Sequence, residues 1–344
     1  MLIEDDIKLD YSDVLIRPKR STLTSRFDVD LKRTYTFYHS SAIWTGVPIM
    51  TSNMDTVGTF DMHEELSLHG LVTCIARQCN KDGTQWHLAE RRSKLCVMSG
   101  ISDKEILELV GIANTFPDIS FVGLDVANGY TINFVQAIKY LRMLLPDATI
   151  IAGNVVTADM TSELILAGAD IVKVGIGGGS VCTTRIKTGI GYPQLSAVIE
   201  CADAAHGVGG HIIADGGCNS SGDIVKAFAA GADFVMIGGM LSGHDECDGE
   251  LIFEDDNPEP IGMEFYGMAS KTAMDKYGHS NREYRGEEGK SVIVPYRGAV
   301  RDTVIDILSG VRSACTYVGA KRLKDLTKCA TFVRVNSTHN RIYE

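Results

Sequence analysis

The chain has no apolar run near the roughly 20 residues that a membrane-spanning helix needs. Its first residues, Met1-Leu2-Ile3-Glu4-Asp5-Asp6, lack the basic and then apolar order of a secretory leader. The cytoplasm is therefore the expected compartment. No block of lysine and arginine is present either, and the net charge is −11. That balance excludes bulk attraction to nucleic acid or to an anionic membrane. An anionic small ligand would have to be held locally, by backbone amides and single arginines. The nine cysteines (74, 79, 96, 182, 201, 218, 247, 315 and 329) include no CxxC pair, and no histidine stands at zinc-site spacing from them. Most are expected to be free, buried, small apolar side chains. Histidines 39, 63, 69, 206 and 211 fall in no ligand spacing and read as structural or exposed.

What is there suffices for a large core. At 344 residues and 44% hydrophobic content, the chain is one large α/β domain or two ordinary ones. Short apolar runs recur at Val47–Met50, Leu71–Ile75, Leu95–Met98, Phe121–Leu124, Thr149–Ala152, Ile171–Val174, His211–Ala214 and Phe234–Ile237. Stretches with helical spacing separate most of them, such as Ile132-Val135-Ile138-Leu141-Leu145. Buried strands alternating with helices imply a parallel sheet covered on its outside. One turn repeats: Ala167-Gly168-Ala169-Asp170-Ile171-Val172 has a near copy in Ala230-Gly231-Ala232-Asp233-Phe234-Val235. That repeat favours a closed (β/α)8 TIM barrel over a doubly wound open sheet, for which the glycine fingerprint after the first strand is missing.

The expected organisation is a single (β/α)8 catalytic domain over 1–344. It comprises an N-terminal arm (1–45), the barrel core (46–241), a flap or insertion (242–298) and a C-terminal helix and tail (299–344). The segment Ser242–Gly298 is polar and reads as long loops, with an exposed turn at Glu254–Pro258 and a mobile flap at Tyr284–Gly289.

Barrels place chemistry at the C-terminal ends of their strands. Those ends carry Ser52-Asn53-Met54-Asp55, Ala76-Arg77, Asp125-Val126-Ala127-Asn128-Gly129, Gly153-Asn154, Asp215-Gly216-Gly217 and Gly238-Gly239. After the sixth run comes Val174–Gln194, with six glycines around Cys182. The glycine pairs suit either a phosphate cradled by amides or plain tight turns, and two pairs on adjacent strands favour phosphate. Cys182 lies in a loop, off any periodic apolar face. Amide dipoles, the hydroxyls of Ser180, Thr183 and Thr184, or the charges of Arg185 and Lys187 can make such a thiol a nucleophile. An inert cysteine is the alternative. Asp125 suits a ligand hydroxyl and a helix cap equally; Glu288 by itself reads as a solvated charge.

At Gly-Gly-Gly-Ser-Val-Cys-Thr-Thr-Arg (177–185) and Gly-Ile-Gly-Tyr-Pro-Gln (189–194), the sequence resembles the IMP dehydrogenase/GMP reductase family. Leu124–Tyr130, Ala152–Thr157 and Cys201–Gly207 are similar to the pattern of its reductase branch. The large regulatory insert usual in the dehydrogenases is missing, and so is the Arg-Tyr pair of their flap. The resemblance implies NADPH-dependent reductive deamination of GMP to IMP and ammonia, with Cys182 attacking C2 of the purine and Thr184 and Glu288 handling protons. The other readings are an IMP dehydrogenase, making XMP with NAD, and a catalytically silent nucleotide-binding regulator.

By the same resemblance GMP would meet Ser180, Asp215, Gly216, Gly217, Gly238, Gly239, Gly267, Met268, Ala269, Arg285 and Gly289. The cofactor would meet Arg77, Asp125, Val126, Ala127, Tyr284, Arg285, Ser313, Ala314, Cys315 and Thr316. Ser25 and Arg26 would reach the cofactor of a neighbouring subunit, which implies a homotetramer. A monovalent cation, potassium in the family, would be held at Gly177, Gly179 and Cys182 with Arg185 contributing. Two positions depart from the family pattern: Gly178, where a proline is usual, and Arg77, where a lysine is usual.

Overall fold

The eight apolar runs become eight parallel strands of one barrel in the computed structural model, which describes residues 3–78, 83–254, 258–277 and 286–336. The strands are β1 (Ile49–Thr51), β2 (Thr73–Ile75), β3 (Leu95–Ser99), β4 (Phe121–Asp125), β5 (Thr149–Val155), β6 (Ile171–Val174), β7 (His211–Asp215) and β8 (Phe234–Ile237). Each pairs with its sequence neighbours, and β8 also pairs with β1. The last seam closes where Val72 donates to the Ile49 carbonyl and accepts from the Thr51 amide, both at 3.0 Å.

The outer ring consists of α1 (Phe60–Leu68), α2 (Gly83–Leu88), α3 (Asp103–Thr115), α4 (Ile132–Leu144), α5 (Ala158–Leu166), α6 (Gln194–Gly207), α7 (Ser221–Ala229) and α8 (Val300–Val318). Their starts are encoded locally. Thr59, Ser102, Thr131 and Ser220 accept a first-turn amide on their side-chain oxygens, and Gly319 ends α8 in the left-handed conformation. The ring closes because α8 packs on both α7 and α1.

The strands alternate between two cores. Outward residues such as Val97, Val122, Val172 and Val235 pack under the helices. Inward ones (Met50, Cys74, Met98, Phe121, Ile151, Ile171, Ile213 and Phe234) form a separate cluster inside the barrel. Its floor is laid by the N-terminal arm. The hairpin Arg33–Thr36 and Ile43–Gly46 inserts Tyr35, Phe37 and Trp44 beneath the strands. Tyr35 stacks on Phe234 at a ring separation of 4.8 Å; truncating Phe234 to alanine should cost about 3–5 kcal/mol. Strand Val14–Ile16 of the arm pairs antiparallel with Phe332–Arg334 of the tail.

The segment after β8 differs from the loops expected. Leu251–Phe253, Pro260–Tyr266 and Ser291–Pro295 make a three-stranded antiparallel sheet, with a helix at Lys271–Lys276. Met263 and Phe265 are buried with Glu264 half-buried between them. Gly262 and Tyr266 of the other parity are buried as well, so no clean alternation marks the strand in sequence. Of the expected exposed turn, residues 255–257 lie outside the described residues. The eight described cysteines are free, four of them buried.

The repeated Ala-Gly-Ala-Asp turn latches the closed end of the barrel. Gly168 and Gly231 both have positive φ (123° and 111°). Asp170 accepts from the Ile150 amide and Asp233 from the Ile212 amide, each at 3.0 Å. Asp170 is neutralised by Arg142 at 2.6 Å. Asp233 instead meets His206 at 2.8 Å, His211 at 3.3 Å and Arg33 at 3.6 Å, so histidines with no spacing signature converge within 4.8 Å of one another and of Asp233. Burial alone would raise the Asp233 carboxyl, but His206 and His211 outweigh it and hold it well below the carboxylate range. The hydrogen bond to Asp233 raises His206, against the opposing pull of burial.

A depressed aspartate stabilises above its unfolded value of about 4, and a raised histidine stabilises below its unfolded value of about 6.5. His206→Ala should therefore lower the melting temperature most between about pH 4.5 and 6.5, and little near pH 9, where the imidazole is neutral in both states. Thermal melts of both proteins across that range check it; an equal loss at both ends would refute the charged pair.

Candidate active site at the open end of the barrel

Val174 ends β6 and the chain leaves the barrel through Gly175, whose φ of 151° only glycine adopts readily. A Cβ there would lie 2.0 Å from the Asp215 carbonyl oxygen. Gln194, fully buried at the start of α6, donates to the Val174 carbonyl at 2.7 Å and to the Asp215 carbonyl at 3.3 Å. The returning loop is anchored by Arg185, which donates to Asp10 at 3.1 Å and to the Tyr192 carbonyl at 2.5 Å. Its guanidinium is thus committed to the N-terminal arm.

Between these anchors Cys182 is half-buried and its thiol donates to Thr184 Oγ1 at 3.2 Å. Thr184 donates in turn to Glu288 Oε2 at 2.9 Å. Glu288 is distant in sequence and is brought in by backbone pairing: Thr183 donates to the Glu288 carbonyl at 2.9 Å and Lys290 to the Val181 carbonyl at 2.9 Å, around an antiparallel bridge between Cys182 and Gly289. Glu288 also donates its amide to the Ala269 carbonyl at 3.1 Å. Two segments thus meet in a line of thiol, hydroxyl and carboxylate, and a third, at Ala269, holds Glu288 in place. Such a line can take a proton from a nucleophile and return it to a leaving group.

The glycines gather around this line. Gly217 donates to the Gly178 carbonyl at 2.9 Å. Gly216 and Gly217 have φ of 92° and 81°. Gly239 approaches so near that a Cβ would lie 2.7 Å from Ser180 Oγ, and one on Gly267 would lie 3.1 Å from the Val181 carbonyl oxygen. Met268 and Ala269 follow in the turn ahead of helix Lys271–Lys276. Beside the turn lies a cleft of about 870 Å3 whose lining includes Ser180, Gly239, Ser220, Lys290 and Arg297. Its charged lining is balanced, Lys290 and Arg297 against Asp302 and Asp306; the hydroxyls and the two cations there suit an anionic group. Lys290 and Arg297 had no signature in sequence, because each is a lone basic residue in a polar stretch.

Asp125 and Asp215 face each other across the mouth, and Lys173 lies beneath them. Its ammonium donates to Asp125 Oδ1 at 2.8 Å and to Asn53 Oδ1 at 3.3 Å, and sits 3.3 Å from Asp215 Oδ2. Burial alone would lower the lysine, but the two carboxylates outweigh it and raise its pKa. Burial would likewise raise Asp125, but Lys173 and Asn53 hold it below the usual range. Sequence reading passed over Lys173 as part of an apolar run. The available signal was a lysine at the parity of Ile171, hence inside the barrel, where an ionised group must be paired.

Other expected contacts lie apart. Val126 and Ala127 follow Asp125 at the mouth, and Arg77 there is paired with Glu105 at 3.0 Å, half exposed. Ser25 and Arg26 belong to a short turn packed on α8, the helix that carries Ser313, Ala314 and Thr316. Of these, Arg26 is exposed, Ser25, Ser313 and Thr316 are half-buried, and Ala314 packs against the core. Cys315 is fully buried in the core, and burial pushes its thiol up to about 12; only its backbone can meet a ligand. Tyr284 and Arg285 lie outside the described residues.

A cation fits the sixth loop only through oxygen. Gly177 has φ of 81° and Gly179 accepts the Cys182 amide at 3.1 Å, while the buried Thr183 Oγ1 has no hydrogen-bond partner. These carbonyl and hydroxyl donors are hard. Arg185 can join them only by its carbonyl.

A family model described as the IMP dehydrogenase / GMP reductase domain matches residues 8–341. Among curated proteins, the chain is 54% identical over 346 residues to GMP reductase 1 of Homo sapiens, covering 99% of each chain. It is 55% identical over 347 residues to GMP reductase of Klebsiella pneumoniae subsp. pneumoniae, covering 100% of this chain and 99% of the relative. With GMP reductase of Caenorhabditis elegans the identity is 55% over 345 residues, covering 99% and 96%.

Two glycines of the sixth loop separate geometric need from freedom. Gly178 has no positive φ, and its nearest Cβ contact is an ordinary 3.4 Å. Gly178→Ala should fold and gain about 0.4–1 kcal/mol by restricting the unfolded chain. Gly175→Ala should lose several times that, from backbone overlap and strain. Urea denaturation of the two variants checks this, and comparable midpoints would refute the geometry.

Proposed function

The chain belongs to the IMP dehydrogenase/GMP reductase family, and on that premise we propose that it is a GMP reductase, an oxidoreductase converting GMP to IMP and ammonia at the expense of NADPH. The line from Cys182 through Thr184 to Glu288 carries this reading. The cleft beside Ser180 and Gly239 would take the phosphate through its hydroxyls and the charges of Lys290 and Arg297, and Asp215 would accept ribose hydroxyl hydrogens.

Cys182 then adds its sulfur to C2 of the purine, and its proton passes to Thr184 and Glu288. The C2–N bond breaks once that proton reaches the exocyclic nitrogen, whose own two hydrogens complete ammonia, and a thioimidate remains on Cys182. Thr184 donates to Glu288 in the resting arrangement, as a carboxylate requires; with Glu288 protonated the same contacts run in reverse and deliver the proton to the amine. Reduced nicotinamide, when bound beside Asp125, supplies the hydride that C2 requires. As C2 gains hydrogen its bond to sulfur breaks and Cys182 leaves as thiolate, which is reprotonated from solvent. The cation, held by Gly177, Gly179 and Cys182 carbonyls, would order the loop that carries the thiol. Ser25, half-buried, and Arg26, exposed, would serve a neighbouring copy in a homotetramer.

Purified protein given GMP should consume NADPH and release IMP and ammonia, with no turnover in Cys182→Ala. Thr184→Ala and Glu288→Gln should each slow turnover by about 100-fold or more. NADH and XMP formed from IMP and NAD would overturn the reading in favour of the dehydrogenase. GMP binding that survives Cys182→Ala, with no NADPH oxidation by wild type, would overturn it in favour of a silent binder.

A further inference from the structure

Lys173 has no place in that chemistry, yet the barrel is built around it. It lies in one lateral row of the sheet with Asp125 and Gly153, because β4, β5 and β6 pair Asp125 with Gly153 and Gly153 with Lys173. Gly153 has to be glycine: a Cβ there would lie 2.5 Å from Lys173 Cβ. The missing side chain is the gap through which the lysine reaches Asp125.

The charges are arranged unevenly with respect to solvent. The Lys173 side chain is 3% exposed, whereas those of Asp125 and Asp215 are 29% and 19% exposed. The ammonium is thus sealed beneath, and each carboxylate keeps one side open to the mouth. Two neutral amides complete the frame. Asn53 donates to Asp125 Oδ2 at 2.8 Å and accepts from Lys173. Asn154 donates to Asp215 Oδ2 and to the Gly175 carbonyl, both at 2.8 Å, tying the frame to the start of the Cys182 loop.

We propose that Lys173 is a positioning residue for both nucleotides. One buried ammonium holds Asp125 and Asp215 ready to accept ligand hydroxyls, and so couples the cofactor side of the mouth to the substrate side. The proposal rests on the reading that GMP lies against Asp215 and NADPH against Asp125. Without the lysine two carboxylates would face each other across a buried gap, each disturbing its neighbour's hold on its ligand. With Asp125 neutralised, Lys173 would give its full charge to Asp215 and weaken it as an acceptor for a ligand that Asp125 never touches. That transmitted effect is what a purely structural lysine would not produce.

Binding without turnover tests this: GMP by calorimetry and NADPH by fluorescence, on wild type, Lys173→Met, Asp125→Asn and the double variant. Lys173→Met should weaken each nucleotide at least about fivefold, and Asp125→Asn should weaken GMP by a similar factor only while Lys173 is present. As the medium is acidified, NADPH binding by Lys173→Met should also weaken at a higher pH than wild type's, because Asp125 has lost the ammonium that holds its carboxyl down. The other titratable groups around Asp125 are Arg77, Asp215, Cys74 and Cys96; all are unchanged in this variant. Affinities within twofold of wild type in a folded Lys173→Met would overturn the proposal, and so would a further loss of GMP affinity on adding Asp125→Asn to Lys173→Met as large as the one it causes in wild type. If Lys173→Met does not fold, Asp125→Asn decides alone: an unaltered GMP affinity overturns the coupling. A wild type that binds neither nucleotide would instead sink the assignment of ligands.

Discussion

A single ammonium inside a barrel of Met50, Cys74, Met98 and Phe121 dictates how the open end is built. Desolvating it is costly unless partners stand ready, and removing one partner from a buried pair typically costs about 3–5 kcal/mol. Lys173 therefore demands two carboxylates, one amide and one absent side chain in fixed register: Asp125, Asp215, Asn53 and Gly153. Because the strands are held by their neighbours over the full circle, none of these can shift alone. The rigidity that solvation demands is the rigidity a binding site needs.

The sixth loop inherits that rigidity from its two ends. Asn154 and Gln194 grip the exit from β6, and Arg185 ties the return to Asp10. What lies between is held more lightly, by a few backbone bonds to Gly217, Glu288 and Lys290. Cys182 thus sits on glycine-rich backbone between firm supports, and Thr184 beside it meets Glu288, which comes from the connection between the second and third strands of the inserted sheet. If Cys182 forms and breaks a bond to carbon in each cycle, as proposed, it needs such local freedom within a fixed frame.

The two ends of the barrel divide the work. At the closed end, the two Ala-Gly-Ala-Asp turns and the aromatic floor of Tyr35, Phe37 and Trp44 serve stability. The open end carries the glycines, the cleft and the thiol. The repeat was legible from its letters, and so were the eight strands, since runs such as Ile150-Ile151-Ala152 need no tertiary context to read as buried. The three-stranded insertion was not, because Pro260–Tyr266 buries residues of both parities, Met263 and Phe265 with Gly262 and Tyr266, and its partners are remote in sequence. Glu288 by its own letters was a surface charge, and only the resemblance suggested otherwise.

Sequence alone determined what local chemistry can enforce: strand and helix periods, caps, the turns that need glycine and the loop placement of Cys182. Tertiary structure decided whatever depends on closing the sheet. It turned Lys173 inward between two carboxylates, set Thr184 against Glu288 and gathered His206 and His211 on Asp233. It also made a floor of an arm that looked peripheral. The reason is physical: a period says which residues share a face, but the strength of a charge or a thiol depends on what stands opposite it. That is settled only when strands far apart in sequence are locked into register.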